Sequence, residues 1–178
     1  MRILLLLLAL CLSPALHAAD KYEEIGWEGL VPKGWDPAKE LRSMDLGQLK
    51  DSDPRAMEAL EKMKQLWDQA PTEPDLEGRK IRLPGFVIPL ERKGEQVTEF
   101  LLVPYFGACI HTPPPPANQI IHAVSAKPLG KMRTMDAYWV TGTLSLKRAD
   151  TPWGSSGYRL TVDKTTPYEE PKKKSSGK

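Results

Sequence analysis

Cysteine is scarce in this chain. Only Cys11 and Cys109 occur among 178 residues. Cys11 lies in an N-terminal stretch that reads as removable, so the remainder carries one thiol and no intramolecular disulfide is open to it. An excess of charge is also missing. Twenty-five Lys and Arg stand against 23 Asp and Glu, a balance that sets up no field able to draw in nucleic acid or acidic lipid. After the first dozen residues no run is apolar enough to cross a bilayer. No internal repeat, Gly-rich phosphate loop, serine-triad motif or pair of catalytic carboxylates stands out. Histidine is nearly as rare as cysteine: three in all, of which His111 and His122 lie outside the N-terminal stretch.

What is present begins at residue 1. Arg2 is the sole charge before Asp20, and between them Ile3 to Leu12 form a short apolar run closed by Ser13-Pro14 and followed by Ala15, Ala18 and Ala19. A charged start, a short apolar core and a small-residue exit are the parts of a secretory signal, and the run falls well short of the roughly 20 residues that span a membrane. Residues 1–19 are therefore expected to be a signal peptide, cleaved after Ala18 or Ala19, that delivers the protein to the periplasm. No lipid anchor is expected at Cys11, because Leu10 precedes it where a lipoprotein signal wants a small residue.

Residues 20–75 read as an extended lead-in, rich in Trp, Gly and Pro, followed by a helical segment. Asp36-Pro37 supplies an N-cap with proline at the first helical position, which predicts a short helix to about Met44. Asp53-Pro54 repeats the device. Beyond it Met57, Leu60, Met63 and Trp67 fall on one side of a 3.6-residue period, which predicts an amphipathic helix that ends before Pro71 and packs its stripe on the domain's own core. From residue 76 to 170 the texture is that of strands. Lys80 to Leu90 is broken by Pro84-Gly85, as at a bend. Gly94 marks a hairpin turn. Val97 to Tyr105, Ile120 to Val124, Ala137 to Leu146 and Tyr158 to Val162 are further strands. Five short strands with Gly-rich bends predict a mainly β (α+β) fold: a small OB-like or SH3-like β-barrel preceded by an N-terminal helical segment. Residues 171–178, lysine-rich and with no apolar side chain after Pro171, read as a disordered basic tail.

The segments Ile81-Arg82-Leu83-Pro84-Gly85-Phe86-Val87-Ile88-Pro89-Leu90 and Cys109-Ile110-His111-Thr112-Pro113-Pro114-Pro115-Pro116-Ala117-Asn118-Gln119, with Tyr138 to Leu144, Gly157 to Leu160 and Pro167-Tyr168-Glu169, resemble the bacterial exported family catalogued as domain of unknown function 3299. The resemblance implies export and, through the gene neighbourhood of some members, association with transporters of the ATP-binding-cassette (ABC) class, including systems linked to zinc supply. Gly78-x-Lys80-Ile81-x-x-x-Gly85 also resembles the opening of oligonucleotide-binding-type barrels. The neutral charge and exported location argue against a nucleic-acid partner.

Three site readings follow from the residues. Cys109 and His111 lie two apart and face one way if extended. With His122 on the next strand they form a Cys-His-His set suited to zinc or copper. Alternatively, Cys109 is a small buried hydrophobe and the histidines are structural. A third arrangement, Cys109 with His111 or His122 as base and Asn118 as orienter, has the residue types of a thiol enzyme. The proline run Pro113, Pro114, Pro115 and Pro116, beside Tyr105 and Phe106 and followed by Asn118 and Gln119, is either a docking edge for another protein or a rigid connector. The expected function is that of a periplasmic, non-enzymatic accessory protein whose partner is a periplasmic or membrane protein, an ABC-type transporter component included, with zinc as its metal. The alternative is a thiol- or metal-dependent periplasmic enzyme.

Overall fold

The structure, a computed structural model, describes residues 22–37, 39, 53–111 and 114–169. The expected signal peptide, nearly all of the helix expected after Asp36-Pro37, Pro113 and the basic tail lie outside these residues.

Eight strands are described: β1 (Glu23–Glu24), β2 (Lys80–Lys93), β3 (Gln96–Val103), β4 (Ile121–Val124), β5 (Ala137–Ser145), β6 (Ala149–Thr151), β7 (Gly154–Ser156) and β8 (Tyr158–Pro167). Among the described residues one complete α-helix, α1 (Pro54–Asp68), precedes the long strands. The barrel runs β2-β3-β4-β8-β5 and closes where β5 returns to β2. Every neighbouring pair in it is antiparallel except β4 and β8. Five strands in this order with one parallel contact are the arrangement of an OB-type barrel, as the sequence predicts. The tiny β6–β7 hairpin stands apart from it.

Closure depends on the bend in β2. Residues Lys80 to Phe86 pair with β5, and Phe86 to Lys93 pair with β3. One strand thereby serves two neighbours, and Pro84-Gly85 marks the changeover. A Cβ on Gly85 would lie 2.8 Å from Leu102 Cγ and 2.9 Å from Trp27 Cζ2, so only glycine fits there. The barrel interior is filled by the inward residues of each strand, among them Ile81, Leu83, Phe100, Leu102, Ile121, Val140, Leu144 and Leu160, all fully buried. Alternation along β2 and β3 sends Ile88, Leu101 and Val103 to the other face. There a second cluster forms with Ala108 and Ile120, and Phe86, Cys109, Ile110 and Met135 pack against it. The 104–111 loop thus covers an outer face of the barrel.

Helix α1 departs from expectation. Asp53 caps it, accepting from Arg55 N at 2.9 Å. The side turned inward, however, is Ala56, Ala59, Met63 and Leu66, with Ala70 just beyond, and only Ala59 within the helix is buried. Met57 and Leu60 are 60% and 54% exposed. The apolar arc is wider than the barrel can cover, and the small alanine side allows the closest approach. Met57 and Leu60 are left outside, while Met63 and Trp67 of the expected stripe are half-buried.

Candidate functional site: an aromatic groove at the bend of β2

The Trp27–Leu30 3-10 turn carries Trp27 over the bend, where its Nε1 donates to Pro84 O at 2.7 Å. Beside it opens a groove of about 290 Å³ lined by Trp27, Pro84, Phe86, Pro104 and Tyr168, with no charged side chain in its wall. Tyr168 is held there by its backbone N–H on Ala137 O at 2.9 Å. The aromatic surface continues in both directions. On one side the Phe106 ring meets Phe86 edge to face at 5.9 Å, and Phe106 and Tyr105 are 67% and 43% exposed. On the other side Tyr168 stacks at a tilt on Trp139, 5.6 Å between centroids, and the Arg82 guanidinium lies 3.8 Å over that indole. Arg82 is in turn paired with Glu24 at 2.7 Å.

Of the expected partner residues, Tyr105 is exposed, and Phe106, its neighbour in the chain, joins this surface through Phe86. Pro114 does not: it is exposed beside α1, and its Cβ would lie 2.9 Å from a Cβ placed on Gly154. Pro115 is buried and Pro116 half-buried. Asn118 is fully buried, donating to Pro71 O at 2.9 Å, while Gln119 donates to Trp27 O at 2.8 Å. Asn118 thereby fastens the segment after α1 to the barrel, and Gln119 fastens the lead-in. Trp27, Phe86, Pro104 and Tyr168 escape sequence reasoning because they come together only through the fold. The tryptophan-rich lead-in was the one signal available.

The expected metal residues are spread over two elements. Cys109 is half-buried on the outer cluster at a left-handed φ of 64°. Burial pushes its thiol up to about 11, so at neutral pH it is neither a thiolate nor an effective nucleophile. His111 is exposed and closes a turn through its backbone N–H on Gly107 O at 2.9 Å. His122 is 8% exposed on β4, opposite Leu101, and its Nε2 lies 2.5 Å from Glu99 Oε1. Its Nδ1 is buried with no hydrogen-bond partner among the described residues. Among those residues no group of three or more His, Cys, Asp and Glu side chains is placed to hold a metal ion. His122 is committed to Glu99, a partner that the sequence did not suggest.

Fold and surface together define a small OB-like barrel protein with an uncharged aromatic groove beside its bent first barrel strand. The chain belongs to the family described as Protein of unknown function (DUF3299), which matches residues 27–167. It is similar to the crystal structure of a DUF3299 family protein from Pseudomonas aeruginosa PAO1, with 35% identity over 85% of this chain and 99% of that one and a TM-score of 0.65. Asparaginyl-tRNA synthetase from Pyrococcus horikoshii matches at 20% identity over 53% of this chain and 20% of that one, with a TM-score of 0.35. No curated protein matches.

Proposed function

We propose that this is an exported, non-enzymatic accessory protein that holds an extended, proline-containing segment of a partner in the aromatic groove. The observation that carries this reading is the continuous aromatic surface from Phe106 through Phe86 to Tyr168 and Trp139. Proline suits it for a stated reason. The groove wall is uncharged and the Pro84 carbonyl in its lining already accepts from Trp27 Nε1, so a segment that brings its own N–H groups would bury them against an occupied acceptor. Proline has none, and aromatic grooves that take preformed extended proline segments are a recurring recognition mode. The signal-like start at residues 1–19 supports a periplasmic site of action, and the family resemblance supports a membrane transporter component as the partner.

The test is a fluorescence titration of the mature protein with a synthetic proline-rich peptide, read through Trp27 and Trp139. Wild type should change its emission and saturate. Phe106→Ala and Tyr168→Ala should each weaken binding by about 2 kcal/mol, the size of an interface anchor, with unchanged unfolding midpoints. A flat titration would remove the proline reading, and recovery of the chain in the cytoplasm would remove export. The enzyme reading is the weaker one, because burial disfavours the Cys109 thiolate.

A further inference from the structure

The outer face of β2, β5 and β8 is laid out in cross-strand rows, and the rows change character in order. Phe86 stands opposite Ala137, whose carbonyl accepts the Tyr168 N–H at 2.9 Å. Two residues along, Pro84 stands opposite Trp139, and Trp139 opposite Thr166. Two further on, Arg82 stands opposite Thr141, and Thr141 opposite Lys164. Residues two apart on a strand share a face, and Leu83 and Val140 between them are fully buried in the barrel. The aromatic groove is therefore followed, on one face, by an indole row and then by a row with a cation on either side of Thr141. Arg82 is not a loose surface cation. Its guanidinium lies 3.8 Å over the Trp139 ring, which sets its plane before any partner arrives. A guanidinium has several N–H donors, and among the described residues only Nη1 has a side-chain partner, Glu24 Oε2 at 2.7 Å. The side chain is 39% exposed. Lys164 is exposed, with no ion-pair partner among the described residues. The nearby Asp163 carboxylate accepts from the Tyr22 hydroxyl at 2.9 Å.

We propose that Arg82 and Lys164 select, for the aromatic groove, proline-containing segments that carry a carboxylate about three residues from the proline. The inference rests on the groove reading above and names its specificity. The spacing follows from the geometry. Tyr168 to Trp139 is 5.6 Å between centroids, and Trp139 to the guanidinium is 3.8 Å. Together these cover about three residues of an extended proline segment, which rises ~3.1 Å per residue. A carboxylate suits the guanidinium because the planar fork can donate two parallel hydrogen bonds to it. Glu24 already occupies that place with the same chemistry. It is a built-in competitor, and an incoming carboxylate displaces it or takes the N–H donors that Glu24 leaves open. A cationic side chain at the same position would meet two like charges.

The experiment is a fluorescence titration of the mature protein with blocked hexaproline peptides that carry an added Glu, Gln or Lys, at the N-terminus in one set and at the C-terminus in the other. In one of the two sets the Glu peptide should bind about three- to fivefold more tightly than the Gln peptide at low salt, the size of an exposed charge pair. The margin should close as salt is raised, and the Lys peptide should bind most weakly. Arg82→Gln should bring the ratio of Glu to Gln affinities to about one, and Lys164→Gln, at an exposed position, should lower it part-way. Glu24→Gln is the deciding variant. If the Arg82–Glu24 pair only ties β1 to β2, the unfolding midpoint falls and the ratio stays that of wild type, whereas removal of a competitor raises the ratio. Binding of the Gln peptide with no preference for Glu, or an unchanged ratio in Glu24→Gln or Arg82→Gln, would overturn the carboxylate selection and leave the groove reading standing. A flat titration with every peptide would remove both.

Discussion

Tyr158 shows how much one side chain can fasten. It is fully buried at the start of β8. Its hydroxyl donates to Leu30 O at 2.6 Å and accepts the Glu73 N–H at 2.6 Å. The lead-in and the Pro74–Leu76 turn are thereby tied to the barrel through a single oxygen. Tyr158→Phe strands a buried carbonyl and a backbone N–H, and should cost about 1–3 kcal/mol in chemical denaturation. The same group shapes the alkaline limb. Burial raises its pKa above the ordinary 10.0, and the Glu73 N–H partly opposes this. Burial likewise lifts Cys109 from 9.0 to about 11. In both cases the folded chain holds its proton longer than the unfolded one, so stability is complete below pH 9 and declines above it. A pH series of unfolding midpoints should be flat up to about pH 9 and then fall. Cys109→Ser should remove the earlier part of the fall and Tyr158→Phe the later part. A midpoint that rises above pH 9 would contradict both assignments.

At the level of elements, α1 gives the clearest forecast. Because Met57 and Leu60 are exposed and Ala59 is buried, truncating the large residues should matter less than enlarging the small one. Met57→Ala and Leu60→Ala should each stay within about 0.5 kcal/mol of wild type. Ala59→Leu should lose about 1–3 kcal/mol by overpacking. The reverse order would mean that the stripe faces the core after all. Sequence reading placed this helix and its Asp53 cap correctly, and Met63 and Trp67 of its stripe are half-buried, but Met57 and Leu60 are not covered, since periodicity gives the direction of the apolar arc and not which part of it a neighbour can reach. The barrel strands were legible because their inward residues alternate and because Pro84-Gly85 punctuates the bend. The β1 pair and the β6–β7 hairpin were not, being two and three residues long with no pattern to count. Tyr105 and Phe106 were picked out as partner residues from their neighbourhood in the chain. The remainder of the groove joins residues as far apart as Trp27 and Tyr168, which only strand closure brings together.

Across the whole molecule, closure separates two levels of stability. Each barrel strand is hydrogen-bonded on both sides, with β2 divided between β5 and β3, so no strand can leave without opening two ladders. A closed barrel has no edge from which to fray. Helix α1 has one buried residue, and the β6–β7 hairpin forms its own two-stranded sheet, so either can open while the barrel stays shut. Native-state hydrogen exchange separates the two cases. Amides of Leu101, Leu102, Ala123 and Leu160 should exchange only through global unfolding, with the full denaturant slope and a free energy equal to the total stability, on the order of 5–15 kcal/mol. Amides from Met57 to Trp67 should exchange at least about 2 kcal/mol more easily and with almost no denaturant slope, the mark of local opening. If the groove works as proposed, the peptide should protect Phe106 and Tyr168 without changing α1, because the helix shares no groove residue. Exchange of α1 with the global slope would show instead that helix and barrel unfold as one unit, and the two levels of stability would be one.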